Sequence, residues 1–224
     1  MIEIVSKTKD YVVIFKPSGM PSQSDPTGAT DAMTELGNVL RDMGERDELY
    51  LIHRLDRVVG GLLVYARNKQ SAARLSSLVA DRLIEKEYFA VVEGKAEGGV
   101  LRDYIYKDAT LGKAFVTDRK RAGVKEAELE YSTLAMIEAE KCSLSLVKVR
   151  LKTGRFHQIR VQFASRKMPL IGDKKYGSRD FKAKTPSLFA TSLAFDYKGE
   201  RVKYSKIPDL SQYPWSLFDK ELFT

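Results

Sequence analysis

Short β-rich runs recur along this chain of 224 residues, and helical patterns interrupt them without a regular rhythm. That irregular order restricts the fold more than any other feature. A doubly wound fold needs strands alternating with helices and a glycine-rich phosphate loop, and the sequence offers neither. The runs at 2–5, 11–15, 51–52, 62–66 and 85–93 read as strands. Two hairpins are expected, one pairing 129–137 with 143–152 around 138–141. The other pairs 189–195 with 201–204 around Asp196-Tyr197-Lys198-Gly199. Few helices intervene. One spans 29–43, capped by Thr30 or Asp31, and one runs from Lys69 to about Leu83 behind Asn68. In the latter, Ala72, Leu75, Val79 and Leu83 form an apolar stripe that belongs to the core. A third starts near Phe156, with Phe156, Ile159 and Phe163 as its apolar face, and a short one follows Pro214. Pattern alone therefore predicts an α+β class with mainly antiparallel pairing.

The chemistry concentrates in His53-Arg54-Leu55-Asp56-Arg57, which leads into the apolar run Gly60-Gly61-Leu62-Leu63-Val64-Tyr65-Ala66. One carboxylate sits among two arginines and a histidine at the mouth of a strand. A tight crossing between strands holds such a group rigidly, and flanking guanidinium groups keep it ionised and supply donors for phosphate. A plain turn with an internal Arg–Asp pair has the same composition, so these residues alone leave both readings open.

Four further segments narrow the choice. Tyr11-Val12-Val13-Ile14-Phe15 runs into Lys16-Pro17-Ser18-Gly19. Lys86-Glu87-Tyr88-Phe89-Ala90-Val91-Val92-Glu93-Gly94 puts a tyrosine 32 positions after Asp56 (88 − 56). Then come Leu151-Lys152-Thr153-Gly154-Arg155-Phe156-His157-Gln158-Ile159-Arg160-Val161 and Pro169-Leu170-Ile171-Gly172-Asp173-Lys174-Lys175-Tyr176-Gly177. With the Asp56 motif they make five segments in one order, and the chain resembles the RluA-type family of RNA pseudouridine synthases from end to end. It departs from that family at Val59-Gly60, where Thr-Ser is usual, at Phe156 in place of threonine, and at Phe189, where histidine is frequent. These changes bear on substrate choice and fine positioning; the nucleophile is present.

The resemblance implies a bent mixed sheet with a central RNA-binding cleft and one catalytic domain over residues 1–224, its two lobes sharing the sheet. The small N-terminal RNA-binding domain carried by many relatives is expected to be absent. It also implies roles. Asp56 is the nucleophile, Tyr88 stacks on a flipped-out uracil and helps move a proton, and Arg160 offsets the burial of Asp56. Arg54 fills the gap the flipped base leaves. His53, Arg57 and Lys16 are candidate RNA contacts, as are Thr153 and Arg155 before a helix start, with Ile159 lining the site. His157 braces the Arg160 helix. No cofactor and no metal are demanded, because isomerisation involves no redox change and adds nothing.

Charge and composition agree. A formal net charge of +8 and a pI near 9.4 favour a polyanionic partner. In the second arm of the first hairpin, Lys148, Arg150 and Lys152 alternate with Val147, Val149 and Leu151. That basic face tracks RNA or is merely solvated. Cys142, the single cysteine, excludes an internal disulfide and reads as a small buried hydrophobe in a reducing, cytoplasmic setting. No apolar run approaches the ~20 residues needed to span a bilayer, and no interface stripe argues against a monomer. Two other classes stay open: an inactive RNA-binding module of the same fold, and a metal-dependent nuclease. The nuclease would need several converging carboxylates, and the five segments offer mainly Asp56.

Overall fold

The computed structural model describes residues 2–139 and 142–224. Among the described residues the elements follow in the order β1 (Glu3–Lys7), β2 (Tyr11–Lys16), α1 (Ala32–Asp42), β3 (Tyr50–Leu51), β4 (Gly60–Ala66), α2 (Lys69–Ala80), β5 (Glu85–Glu93), β6 (Gly99–Asp108), β7 (Lys113–Thr117), β8 (Val124–Glu138), β9 (Ser143–Leu151), α3 (Gln158–Ala164), β10 (Leu188–Tyr197) and β11 (Glu200–Ser205). Short 3-10 turns cover Lys174–Tyr176, Trp215–Leu217 and Lys220–Phe223. The class is α+β. The chain divides into a first unit, residues 1–85 with 190–206, and a second, residues 86–189 with 207–224.

In the first unit the strands run β1-β2-β4-β10, with β11 beside β10 and β3 beside β4. β2 and β4 are antiparallel and register Lys16 opposite Gly61. β4 is buried along its whole length, which is why it reads as an unbroken apolar run instead of an alternating one. Gly61 has φ +127, and a Cβ there would stand 2.3 Å from the Ala190 carbonyl oxygen, so the close approach of β10 requires glycine. Tyr11, Val13, Leu62, Val64, Leu75, Leu193 and Phe195 share one core cluster. Both expected caps form. Asp31 accepts from the amides of Met33 and Thr34, and Asn68 from that of Ser71. The first helix starts three residues later than its pattern predicts, because Asp31 itself is the cap. The second stops at Ala80. Leu83 is therefore not part of its stripe and is 55% exposed, while Ser71 and Leu75 face inward.

In the second unit the order is β5-β9-β8-β6-β7 with antiparallel registers throughout. The hairpin of β8 and β9 forms as expected, and residues 140 and 141 of its turn lie outside the described residues. Lys148 and Lys152 on its basic face pair with Glu87 and Glu130, so cross-strand acids balance much of that face. Cys142 lies just before β9 and is exposed, not buried; the chain is still turning there and offers it no core to enter. α3 also differs from its pattern. Gln158 through Phe163 are all buried, polar side chains included, so it has no solvated face. The hairpin of β10 and β11 follows its sequence signal.

Candidate active site

The Asp56 loop is pinned almost wholly by backbone groups. Leu55 and Val59 are buried on either side of Asp56 and anchor the loop to the core. Ser22 grips it twice, donating to the Leu55 carbonyl at 3.0 Å and accepting from the Leu55 amide at 3.1 Å. The Ser22 carbonyl in turn accepts from the hydroxyl of fully buried Tyr65. The Val59 amide donates to the Asp56 carbonyl at 2.9 Å and closes a turn. A second turn, from Lys16 to Met20, is sewn to this one. The Gly19 amide donates to the Arg57 carbonyl at 2.8 Å, and Ser18 donates to the Val58 carbonyl at 2.7 Å.

Lys16 is fully buried under these turns. Its ammonium donates to the carbonyls of Met20 at 2.7 Å, Pro17 at 3.0 Å and Arg57 at 3.4 Å. Burial pushes its pKa down to about 8, and the charge of Asp56 works against that fall. The attraction between the two charges is mutual. This corrects the sequence expectation, which made Lys16 an RNA contact: a lysine with no exposed surface cannot meet a phosphate. Arg57 is exposed but spans its own loop, donating to the Gly19 carbonyl at 2.9 Å and to the Thr27 hydroxyl at 3.2 Å. Arg54 is exposed, and His53 and Asp56 are half-buried. Half-burial suits a nucleophile that must stay charged yet accept a ligand.

The second unit positions Arg160 differently. β9 ends at Leu151, and Thr153, Gly154 and Arg155 lead toward α3. The Gln158 side chain folds back, its carbonyl oxygen accepting from the Thr153 hydroxyl at 2.8 Å and the Arg155 amide at 2.9 Å. The Thr153 oxygen also accepts from the Glu128 amide at 2.9 Å, and the Arg155 guanidinium donates to the Glu126 carbonyl at 2.8 Å. The groups expected to meet an anion before the helix are thus engaged within the framework. Arg160 is buried and forms a two-point pair with Asp173, at 2.7 and 2.9 Å. Ile159 is buried beside it and Tyr88 lies buried in β5 opposite Val149.

Asp173 occupies a tight turn. Gly172 before it has φ +77, and a Cβ there would lie 2.4 Å from the Thr185 carbonyl oxygen. Ser178 accepts from the Gly172 amide and donates to Glu93. The Arg160 guanidinium also lies 5.1 Å from the centre of the Tyr176 ring. The Tyr176 hydroxyl accepts from the Ala114 amide at 2.8 Å and meets His157 Nδ1 at 2.8 Å. Burial, with the charges of Arg160 and Lys175, pushes His157 down to about 3. A neutral ring accepts the Tyr176 proton at Nδ1, which matches a bracing role. Phe156 stacks on His157 at 3.8 Å between centroids. Sequence reasoning gave Asp173, Tyr176, Gln158 and Ser22 no role. The Gly-Asp-x-x-Tyr-Gly spacing signalled the first two, Gln158 lay within the segment that carries Arg160, and nothing local marked Ser22.

A carboxylate on a loop held by this many hydrogen bonds, with its charge acting on a buried lysine, has the means for nucleophilic or proton-transfer chemistry. The family model described as RNA pseudouridylate synthase matches residues 10–165, and the chain belongs to that family. It is therefore an isomerase that acts on RNA. An RNA pseudouridine synthase of Haemophilus influenzae is 30% identical over 95% of this chain and 90% of its own length. tRNA pseudouridine synthase C of Vibrio parahaemolyticus is 27% identical over 99% and 97%. Ribosomal large subunit pseudouridine synthase D of Zymomonas mobilis is 32% identical over 79% of this chain, which spans 56% of that protein. Among solved structures, human RNA pseudouridylate synthase domain containing 4 matches with a TM-score of 0.74 at 25% identity, over 92% of this chain and 88% of its own. Among the described residues, no helix is long and apolar enough to cross a membrane.

Proposed function

We propose that this protein converts particular uridines of ribosomal or transfer RNA to pseudouridine with Asp56 as nucleophile. The observation that carries this reading is the rigid, half-buried Asp56 loop over Lys16, in a chain of this family. The reaction breaks the bond from uracil N1 to ribose C1′, turns the base, and joins C5 to C1′. The C5 proton leaves and N1 gains one, so atoms balance. Asp56 attacks C1′ or the uracil ring and holds the fragment while the base turns.

Tyr88 stacks on the flipped uracil and helps carry the C5 proton. Arg160 supplies a fixed positive charge to the reacting region, kept in place by Asp173. Arg54, exposed beside Asp56, fills the space the base vacates. His53 and Arg57 contribute to RNA contact from the same loop. Thr153, Arg155 and Ile159 shape the approach to Arg160.

The two units act as one catalytic domain, which is supported by a family match that runs across their boundary at residues 85–86. Relatives named for transfer and for ribosomal RNA support either target class. The protein acts in the cytoplasm, a reading supported by its bacterial RNA-modifying relatives, and as a monomer, a reading that rests on the lack of an apolar interface stripe in the sequence. The test incubates the protein with transcribed ribosomal and transfer RNA in the presence of chelator and maps pseudouridine. Isomerisation at discrete positions is expected. Binding without product would point to the inactive-module reading, and chelator-sensitive cleavage to a nuclease.

A further inference from the structure

Lys86 is a cation the reaction does not use, placed where cations are costly. It lies on β5 two residues before Tyr88, so both side chains leave the same face of the strand, about 7 Å apart. The register puts Lys86 opposite Leu151 and Tyr88 opposite Val149, and on the next strand Leu129 and Tyr131 complete that face. The acids nearby belong to the other face, where Glu87 and Glu130 stand against Arg150. Among the described residues no carboxylate or carbonyl pairs with the Lys86 ammonium. Burial alone acts on its pKa, and lowers it. The ammonium lies beside Gly154, where a Cβ would stand 3.5 Å from Nζ.

A desolvated lysine without a counter-charge costs stability that a methionine of similar length would not. Its presence is explained if an anion arrives with the substrate. We propose that Lys86 receives a backbone phosphate of the substrate RNA, next to the uridine whose base Tyr88 meets. This rests on the proposed role of Tyr88. The spacing fits, since two strand residues span roughly the reach from a base to a phosphate of its own nucleotide. Lys148 and Lys152, which pair with acids on the other face, cannot take this part.

The test is equilibrium binding of a substrate RNA across a salt series, which needs no turnover. Lys86→Met should weaken binding about tenfold and lower the salt slope by about 0.7, one phosphate on a single strand. It should also raise the melting temperature of the free protein. Lys86→Arg should restore most of the slope. A methylphosphonate at the phosphate beside the target uridine should weaken wild type as much as Lys86→Met does, and should not weaken that variant further. An unchanged salt slope in Lys86→Met, or a methylphosphonate that weakens both proteins equally, would overturn the proposal. A turnover loss at saturating RNA with unaltered binding would overturn it too, by assigning the ammonium to the chemical step. If Lys86→Met does not fold, Lys86→Gln and the methylphosphonate on wild type decide the matter. The binding outcomes do not depend on whether pseudouridine forms, so this proposal and the enzymatic reading fail separately.

Discussion

Asp56 and Arg160 carry opposite charges and are held in opposite ways. Asp56 is half-buried, on a loop held by hydrogen bonds that the side chains of Ser22, Ser18, Arg57 and Lys16 make to backbone groups. Arg160 is fixed through its own functional group, by a buried two-point bond to Asp173. In the role proposed for it, Asp56 must form a bond and release it, so its anchoring has to come from around it. A cation that only supplies charge can be gripped directly. The first arrangement therefore fixes the loop through its neighbours, and the second ties the fold to the guanidinium itself.

That contrast predicts different failures. The largest effect should follow Asp56→Asn, lowering single-turnover pseudouridine formation by roughly a thousandfold or more, with a melting temperature near that of wild type. A rate within a few fold of wild type would remove Asp56 as nucleophile. Asp173→Ala should do the reverse and strike stability first. It leaves a buried arginine without its main partner and should cost ~3–5 kcal/mol in denaturant unfolding. A loss under ~1 kcal/mol would show that Arg160 does not need this pair. Lys16→Met should cost less, about 1–3 kcal/mol in total, because its one short bond is to the Met20 carbonyl and removing a buried charge offsets part of the loss. Faster amide exchange at Gly19 and Val59 would locate the damage in the Asp56 loop, and unaltered exchange there would dissociate Lys16 from it. Lys198→Ala should have the smallest effect. Its surface bond to Asp10 should be worth under about 1 kcal/mol, and turnover should match wild type.

How legible the site was depends on where its supports lie. Asn68 and Asp31 as caps, β5 from Glu85 to Glu93 and the hairpin at Lys198-Gly199 follow from neighbours within a few residues, where local rules suffice. Leu83 and Cys142 were misread because periodicity reports which face a residue shares, not whether the chain continues far enough to bury it. Lys16 was misread because a lysine beside a turn has the same sequence signature whether its ammonium points to solvent or to three carbonyls. Ser22 grips Leu55 from 33 positions away, and no local pattern encodes that.

The order of strand and helix patterns by itself determined the α+β class, and five motifs in one order carried the resemblance to the family, since both are written in consecutive residues. The tertiary structure alone decided which charged groups are spent on the framework. Burial and partnership are long-range properties. Lys16 lies under the loop of Asp56, Arg160 is locked to Asp173, and Lys86 stands half-buried on an apolar face with no counter-charge among the described residues, because strands distant in sequence pack there.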